Sequence, residues 1–216
     1  MHSLKREESV NFFSHLIGAL FMPVGTFLLI QGSAKDLLSV VTLLIYGISV
    51  TLLFSASSLY HYMKKEENEK SIWRTLDHVS IFFMIAGTYT PITAMVLDGP
   101  WRVSILAVQW GLVALGLVQK LIWLRAPRWL TTAIYLAMGW IAIVALKPLY
   151  DHTSMELILL LFGGGVLYSI GAVIYAMKKP NPFPGFFGFH EIFHIFILAA
   201  TVVLYILVYR IVTGLF

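Results

Sequence analysis

Residues 185–198, "GFFGFHEIFHIFIL", contain His190-Glu191-Ile192-Phe193-His194. Taken literally this is H-E-x-x-H, the zinc-protease signature of two histidines one helical turn apart with a glutamate base between them. The i, i+4 spacing sets both imidazoles on one helix face, which makes a bidentate half-site for a divalent metal. A catalytic zinc takes three protein ligands and keeps a further position open. No His, Asp or Glu follows His194, so a third ligand must come from upstream, unlike in proteases that use a downstream histidine. The chain has no cysteine, which excludes thiolate ligands, thiol nucleophiles and disulfides.

Upstream the same residue types recur at helical spacings. Ser57 and His61 stand at i, i+4; Glu8, Asn11 and His15 stand at i, i+3, i+7; Asp77 and His78 are adjacent. Each admits a plainer role. Histidines and lone acids at helix ends bond to headgroups or loop backbone, and Ser57 can bond back onto its own helix. Asp77 suits a helix N-terminus, and Glu191, about 100° around the helix from His190, suits a cap or a neighbouring partner. The pair His190 and His194 is harder to place that way, and His61 is the upstream imidazole at the matching level. An imidazole donor set favours Zn²⁺.

The helices that carry these groups belong to a membrane. Of 216 residues, 59% are hydrophobic and only 12% charged, and the mean hydropathy is +0.83; a soluble domain carries about 25% charge. Stretches without Asp, Glu, Lys or Arg reach the roughly 20 residues that a crossing needs. They predict an all-α, seven-transmembrane-helix bundle forming one domain, residues 1–216, with spans near 12–34, 37–62, 77–97, 103–123, 129–147, 156–177 and 187–210. The fourth charge-free run, 103–119, is the shortest; a buried half-span is the alternative there, but Trp101 and Trp123 flank it like interfacial anchors and it counts as a span. The glycines at 163–165 predict close approach of the sixth helix to a neighbour. No cleavable signal peptide is evident.

Charge sets the direction. The N-terminal tail and the second, fourth and sixth connectors carry eleven of the fifteen Lys and Arg residues. By the positive-inside rule the N-terminus is cytoplasmic and the C-terminus outside. The net charge of +4 is therefore loop charge facing anionic lipid, and no nucleic-acid partner is expected. With that orientation His15, His61, His78, His190 and His194 fall in one layer at the cytoplasmic face, with Glu8, Asn11, Ser57 and Asp77. An ionisable group within a bilayer costs at least about 2.5–3.5 kcal/mol and by default marks function.

Glu8-x-x-Asn11-x-x-x-His15, Ser57-x-x-x-His61, Leu76-Asp77-His78 and His190-x-x-x-His194, in this order, resemble the hemolysin III family. That family lies within the progestin and adipoQ receptor superfamily, which includes adiponectin receptors and is distantly related to alkaline ceramidases. The resemblance covers essentially the whole chain. It implies seven helices with a cytoplasmic N-terminus, in agreement with the charge count. It also implies a Zn²⁺ cofactor bound by His61, His190 and His194, with Asp77 acting on the attacking water and Ser57 one turn before the first ligand. The pattern on the last helix is then H-x-x-x-H, Glu191 fills a variable slot, and the protease reading fails.

The expectation is a zinc-dependent intramembrane hydrolase of lipid amide or ester bonds, with membrane lipids as partners and substrates. Asp77 and Ser57 are its catalytic candidates. Glu8, Asn11 and His15 would hydrogen-bond ligands or oxyanion from the periphery. Two rival classes are a pore-forming cytolysin, which needs polar stripes along whole helices, and a receptor or membrane-state sensor with a structural zinc.

Overall fold

The computed structural model describes residues 4–34, 36–66, 69, 71–122 and 128–215. Seven helical segments are long and apolar enough to cross a membrane. A 3₁₀ turn, Arg6–Glu8, leads into α1 (Ser9–Gly32), followed by α2 (Leu37–Met63), α3 (Ile72–Val96) and α4 (Gly99–Ile122). The fifth span is composite: α5 (Arg128–Trp140), a 3₁₀ segment Ile141–Ala145 and α6 (Leu146–His152). The helices α7 (Met155–Met177) and α8 (Phe189–Thr213) complete the bundle. Among the described residues there is no strand, only an isolated bridge between Phe183 and Phe187.

Side chains start three of these helices by accepting from otherwise orphaned backbone N–H groups. Asp36 accepts from Ser39 N at 3.0 Å, Ser71 from Arg74 N at 3.2 Å and Ser154 from Leu157 N at 3.4 Å. The Ser71 cap explains one departure from the charge-free runs. It starts α3 at Ile72, five residues before the expected 77, so that Arg74 and Asp77 lie within the helix. The fourth segment is the full span expected, a 24-residue helix that starts at Gly99, before the expected 103. Arg102 did not end it, because its Nη2 pairs with Asp98 at 2.7 Å within the first turn. Trp101 is exposed at that end, while Trp123 lies outside the described residues.

The fifth span breaks where the apolar run gave no warning. At the break the Tyr89 hydroxyl donates to the carbonyl of Gly139 at 2.7 Å and accepts from Ala142 N at 2.9 Å. One phenol thus satisfies a backbone donor and an acceptor beside the change of helical register, as a non-aqueous surrounding requires.

Helix α3 is the most deeply buried span and touches α2, α4, α5 and α8. Helix α1 packs on α2 and α8, and α7 on α8. The main core joins Leu29, Leu43, Tyr46, Phe54 and Leu207. Large apolar side chains such as Phe21, Ile48, Leu115 and Leu159 point outward and are mostly exposed, as a lipid-facing surface requires. Gly18 lets α1 meet α2: a Cβ there would sit 2.7 Å from the Phe54 ring. Gly164 likewise faces Leu204 of α8, where a Cβ would lie 2.6 Å away, matching the close approach expected of the glycine run.

The tail, the connector after α2 and the connector before α8 meet at one end of the bundle. Lys5 Nζ donates to the carbonyl of Lys65, and the Arg6 guanidinium lies 5.5 Å from the Phe186 ring centroid. This is the tail end below.

Candidate metal centre

Three histidines converge at the tail end. Donor atoms of His61, His190 and His194 all lie within 4.8 Å of one another. His61, at the last turns of α2, is 1% exposed and His194 is 2% exposed. The His61 ring stands edge-on to both partners, with centroids 5.1 Å from His190 and 4.8 Å from His194. Imidazoles bound to a tetrahedral ion at about 2.0–2.1 Å place their nitrogens about 3.3 Å apart. The donor set is wholly imidazole, which suits a divalent ion such as zinc.

The groups behind these rings set their tautomers. His61 Nδ1 lies 2.6 Å from Glu8 Oε2. The carboxylate holds a proton on Nδ1 and leaves Nε2 as the donor toward the cluster, the usual carboxylate–histidine–metal arrangement. Glu8 is itself clamped, because Oε1 accepts from Lys64 Nζ at 2.5 Å. Asn11, one turn along the same face, donates through Nδ2 to Glu191 Oε1 at 2.6 Å. The other oxygen of Glu191 accepts from Gly188 N at 2.7 Å and closes the first turn of α8. Glu191 is therefore a cap and a helix–helix link, as its angular position away from His190 implied. His15 stacks on His194, centroids 3.8 Å apart and planes 24° apart. Among the described residues neither nitrogen of His15 has a hydrogen-bond partner, nor do Asn11 Oδ1 and His194 Nδ1. Unpartnered buried polar atoms of this kind point to an ordered water or ion among them.

The carboxylate proposed for catalysis stands on the third side. Asp77 Oδ2 is 3.4 Å from His78 Nδ1, and the Asp77 side chain is 16% exposed. Ser57, buried on α2, lines the same cavity as this carboxylate and lies beside it. His78 Nδ1 lies 2.8 Å from the carbonyl of Arg74, and the Tyr135 hydroxyl donates to the carbonyl of His78 at 2.6 Å. The Tyr135 bond ties the early turns of α3 to α5. His78 thus faces its own backbone and Asp77, and is not one of the three converging histidines.

His15, Ser57, Asp77, His190 and His194 all line one cavity of about 580 Å³. Along α3 its wall runs from Ile72 to Ile92, a rise of twenty residues or about 30 Å at ~1.5 Å per residue. Polar groups crowd the tail end of this cavity, and its far wall includes Ile92 and Leu204. Two participants escaped the sequence reading. Lys64 was counted only as loop charge, although it stands three residues after His61 and on its face. Tyr135 carried no signal, since nothing in its apolar helix marks the residue that will meet α3.

The haemolysin-III related family matches residues 4–205. Over 207 residues the chain is 36% identical to hemolysin-3 of Bacillus cereus, covering 95% of this chain and 91% of that one. It is 38% identical over 205 residues to a hemolysin-3 homolog of Bacillus subtilis (strain 168), covering 93% and 92%. A more distant similarity, 25% over 211 residues, links it to the human monocyte to macrophage differentiation factor, with 94% and 84% covered. The seven-helix architecture and the four motifs agree with those matches: the chain belongs to the hemolysin III family, within the progestin and adipoQ receptor superfamily.

Proposed function

We propose that the chain is a zinc-dependent intramembrane hydrolase of lipid amide or ester bonds, working near the cytoplasmic face. The observation that carries this is the shared cavity: His190 and His194, two of the three clustered histidines, line it together with Asp77 and Ser57, and most of its remaining wall is apolar. Zinc, when bound, supplies Lewis acidity at neutral pH. Asp77 takes the proton of the attacking water as its oxygen bonds to the acyl carbon, then gives that proton to the departing nitrogen or oxygen. The C–N or C–O bond breaks, leaving a fatty acid and an amine or alcohol. Ser57, beside Asp77, orients that carboxylate. The apolar wall takes the acyl chain and keeps bulk water away from the reacting carbon.

The orientation rests on the positive-inside count. A permeabilising role, which the name of the Bacillus relatives carries, is the second reading. The deep wall sets Ile92, Leu161 and Leu204 among Thr88, Tyr89 and Tyr168, short of the continuous polar stripe that a conduit needs. Dye release from zinc-free liposomes, equal for wild type and His190→Ala/His194→Ala, would move that role to first place.

The first test is elemental analysis of detergent-purified protein, wild type beside His61→Ala and His190→Ala/His194→Ala. About one zinc per chain, lost in both variants, is expected from a three-histidine site. A folded wild type that carries no metal overturns the proposal.

A further inference from the structure

Basic residues at a membrane protein's cytoplasmic end ordinarily splay outward toward headgroups. Three here do the opposite. Lys64 from the end of α2, Arg74 from the first turns of α3 and Lys120 from the last turns of α4 all line the cavity at its tail end. Lys64 is engaged by Glu8 at 2.5 Å. Lys120 has no hydrogen-bond or ion-pair partner among the described residues, is only partly exposed, and lies close enough to Arg74 for the two charges to repel. Arg74 Nη1 donates to the carbonyl of Glu69 at 3.2 Å.

The carboxylates that share this lining are turned elsewhere. Glu69 Oε2 accepts from the backbone N–H of Lys65 and Glu66 at 2.9 and 3.4 Å. Asp77 faces His78 and Ser57. Two like charges brought together in a half-desolvated mouth are unfavourable unless an anion enters between them.

We infer that Arg74 and Lys120 form an anion site at the cavity mouth that takes the phosphate of an anionic phospholipid whose chains occupy the apolar chamber. The inference rests on the proposed function only in taking the cavity as the ligand's seat, and it narrows the ligand from any acyl lipid to an acidic one. Register supports it. Arg74 precedes Asp77 by three residues, about 4.5 Å along the axis and on the same face. A phosphate held by Arg74 therefore leaves the glycerol linkages level with Asp77 and the hydrocarbon directed toward Ile92. The guanidinium offers the forked donors that suit phosphate, and the ammonium adds a point charge.

The test compares two lipids that differ only in the phosphate: a dialkyl-ether phosphatidic acid and the matching dialkylglycerol. The ether linkages cannot be hydrolysed, so binding is read whether or not the protein is a hydrolase. Binding of each to the full-length, detergent-purified chain is titrated by native mass spectrometry, with metal content measured on the same samples. Wild type is expected to prefer phosphatidic acid by at least about tenfold, the scale of one charge-assisted contact. Arg74→Gln/Lys120→Gln should lose that preference while keeping the dialkylglycerol affinity, and Lys120→Arg should retain it. Lys178→Gln/Lys179→Gln removes exposed charge at the same end without touching the cavity, and should leave the preference intact. Equal affinity of the wild type for both lipids overturns the inference. So does a preference abolished by the Lys178/Lys179 change as fully as by the Arg74/Lys120 change. A thermal unfolding scan of each variant shows that the dialkylglycerol values come from folded protein.

Discussion

Glu8 and His61, 53 positions apart in the chain, are joined by a 2.6 Å hydrogen bond in the buried layer where α1 begins and α2 ends. A carboxylate in this place decides which ring nitrogen faces the metal cluster.

Glu8→Gln should therefore keep the fold and weaken the metal. Outer partners of this kind are worth about 10–100-fold in affinity. Chelator competition on purified protein checks this: zinc should leave the variant at correspondingly lower chelator concentration. Equal retention in both proteins would remove Glu8 from the site.

Asp77→Asn separates a catalytic from a structural metal. The variant should fold and keep about one zinc per chain, since the three imidazoles are untouched. Fatty-acid release from a turned-over lipid should fall by about 10²–10⁴, the usual worth of a positioned acid–base group. Full turnover by the variant would refute the proton-transfer role; a folded, metal-loaded wild type that turns over no lipid amide or ester would favour the sensor reading.

Glu191→Gln tests the H-E-x-x-H reading directly. A protease-like base could not be replaced by an amide, whereas a cap loses only part of its bonding. The variant should keep metal and turnover and lose about 1 kcal/mol of stability, seen as a lower melting temperature in detergent. Asn11→Ala should show a similar loss, because it leaves Glu191 Oε1 without its donor.

Gly18→Ala should destabilise the bundle by about 1–3 kcal/mol, the range for overpacking a close contact. The added carbon would sit 2.7 Å from the Phe54 ring, which also meets His15 edge-on with centroids 5.0 Å apart. Melting temperatures of Gly18→Ala and Gly18→Ala/Phe54→Leu check it, since the smaller side chain should recover part of the loss.

Much of this site was legible because it depends on local spacing. The faces shared by His190 with His194, Ser57 with His61, and Glu8 with Asn11 and His15 follow from helical period alone, and charge-free runs located the spans that carry them. What stayed hidden depends on neighbours far along the chain. The break after Trp140 is held by Tyr89, fifty residues upstream of the carbonyl it meets. The early start of α3 was masked by Arg74 and Asp77, because a charge was read as the edge of a span although a helix can project beyond the hydrocarbon. Lys64 and Lys120 looked like ordinary loop-side charge, and only the packing of α2, α3 and α4 turned them toward a common cavity.

The link between Asn11 and Glu191 spans 180 positions, and Glu8 reaches back from α1 to a ligand on α2 while the other two ligands wait on α8. During synthesis at about 5–20 residues per second, the early helices are made well before the partners they need. A nascent chain stopped after α7 would hold Asn11 and His15 in the bilayer with neither Glu191 nor His194 to meet. A metal held by His61, His190 and His194 would thereby be captured only at the end of biogenesis, and its occupancy would report that the last helix has arrived and docked.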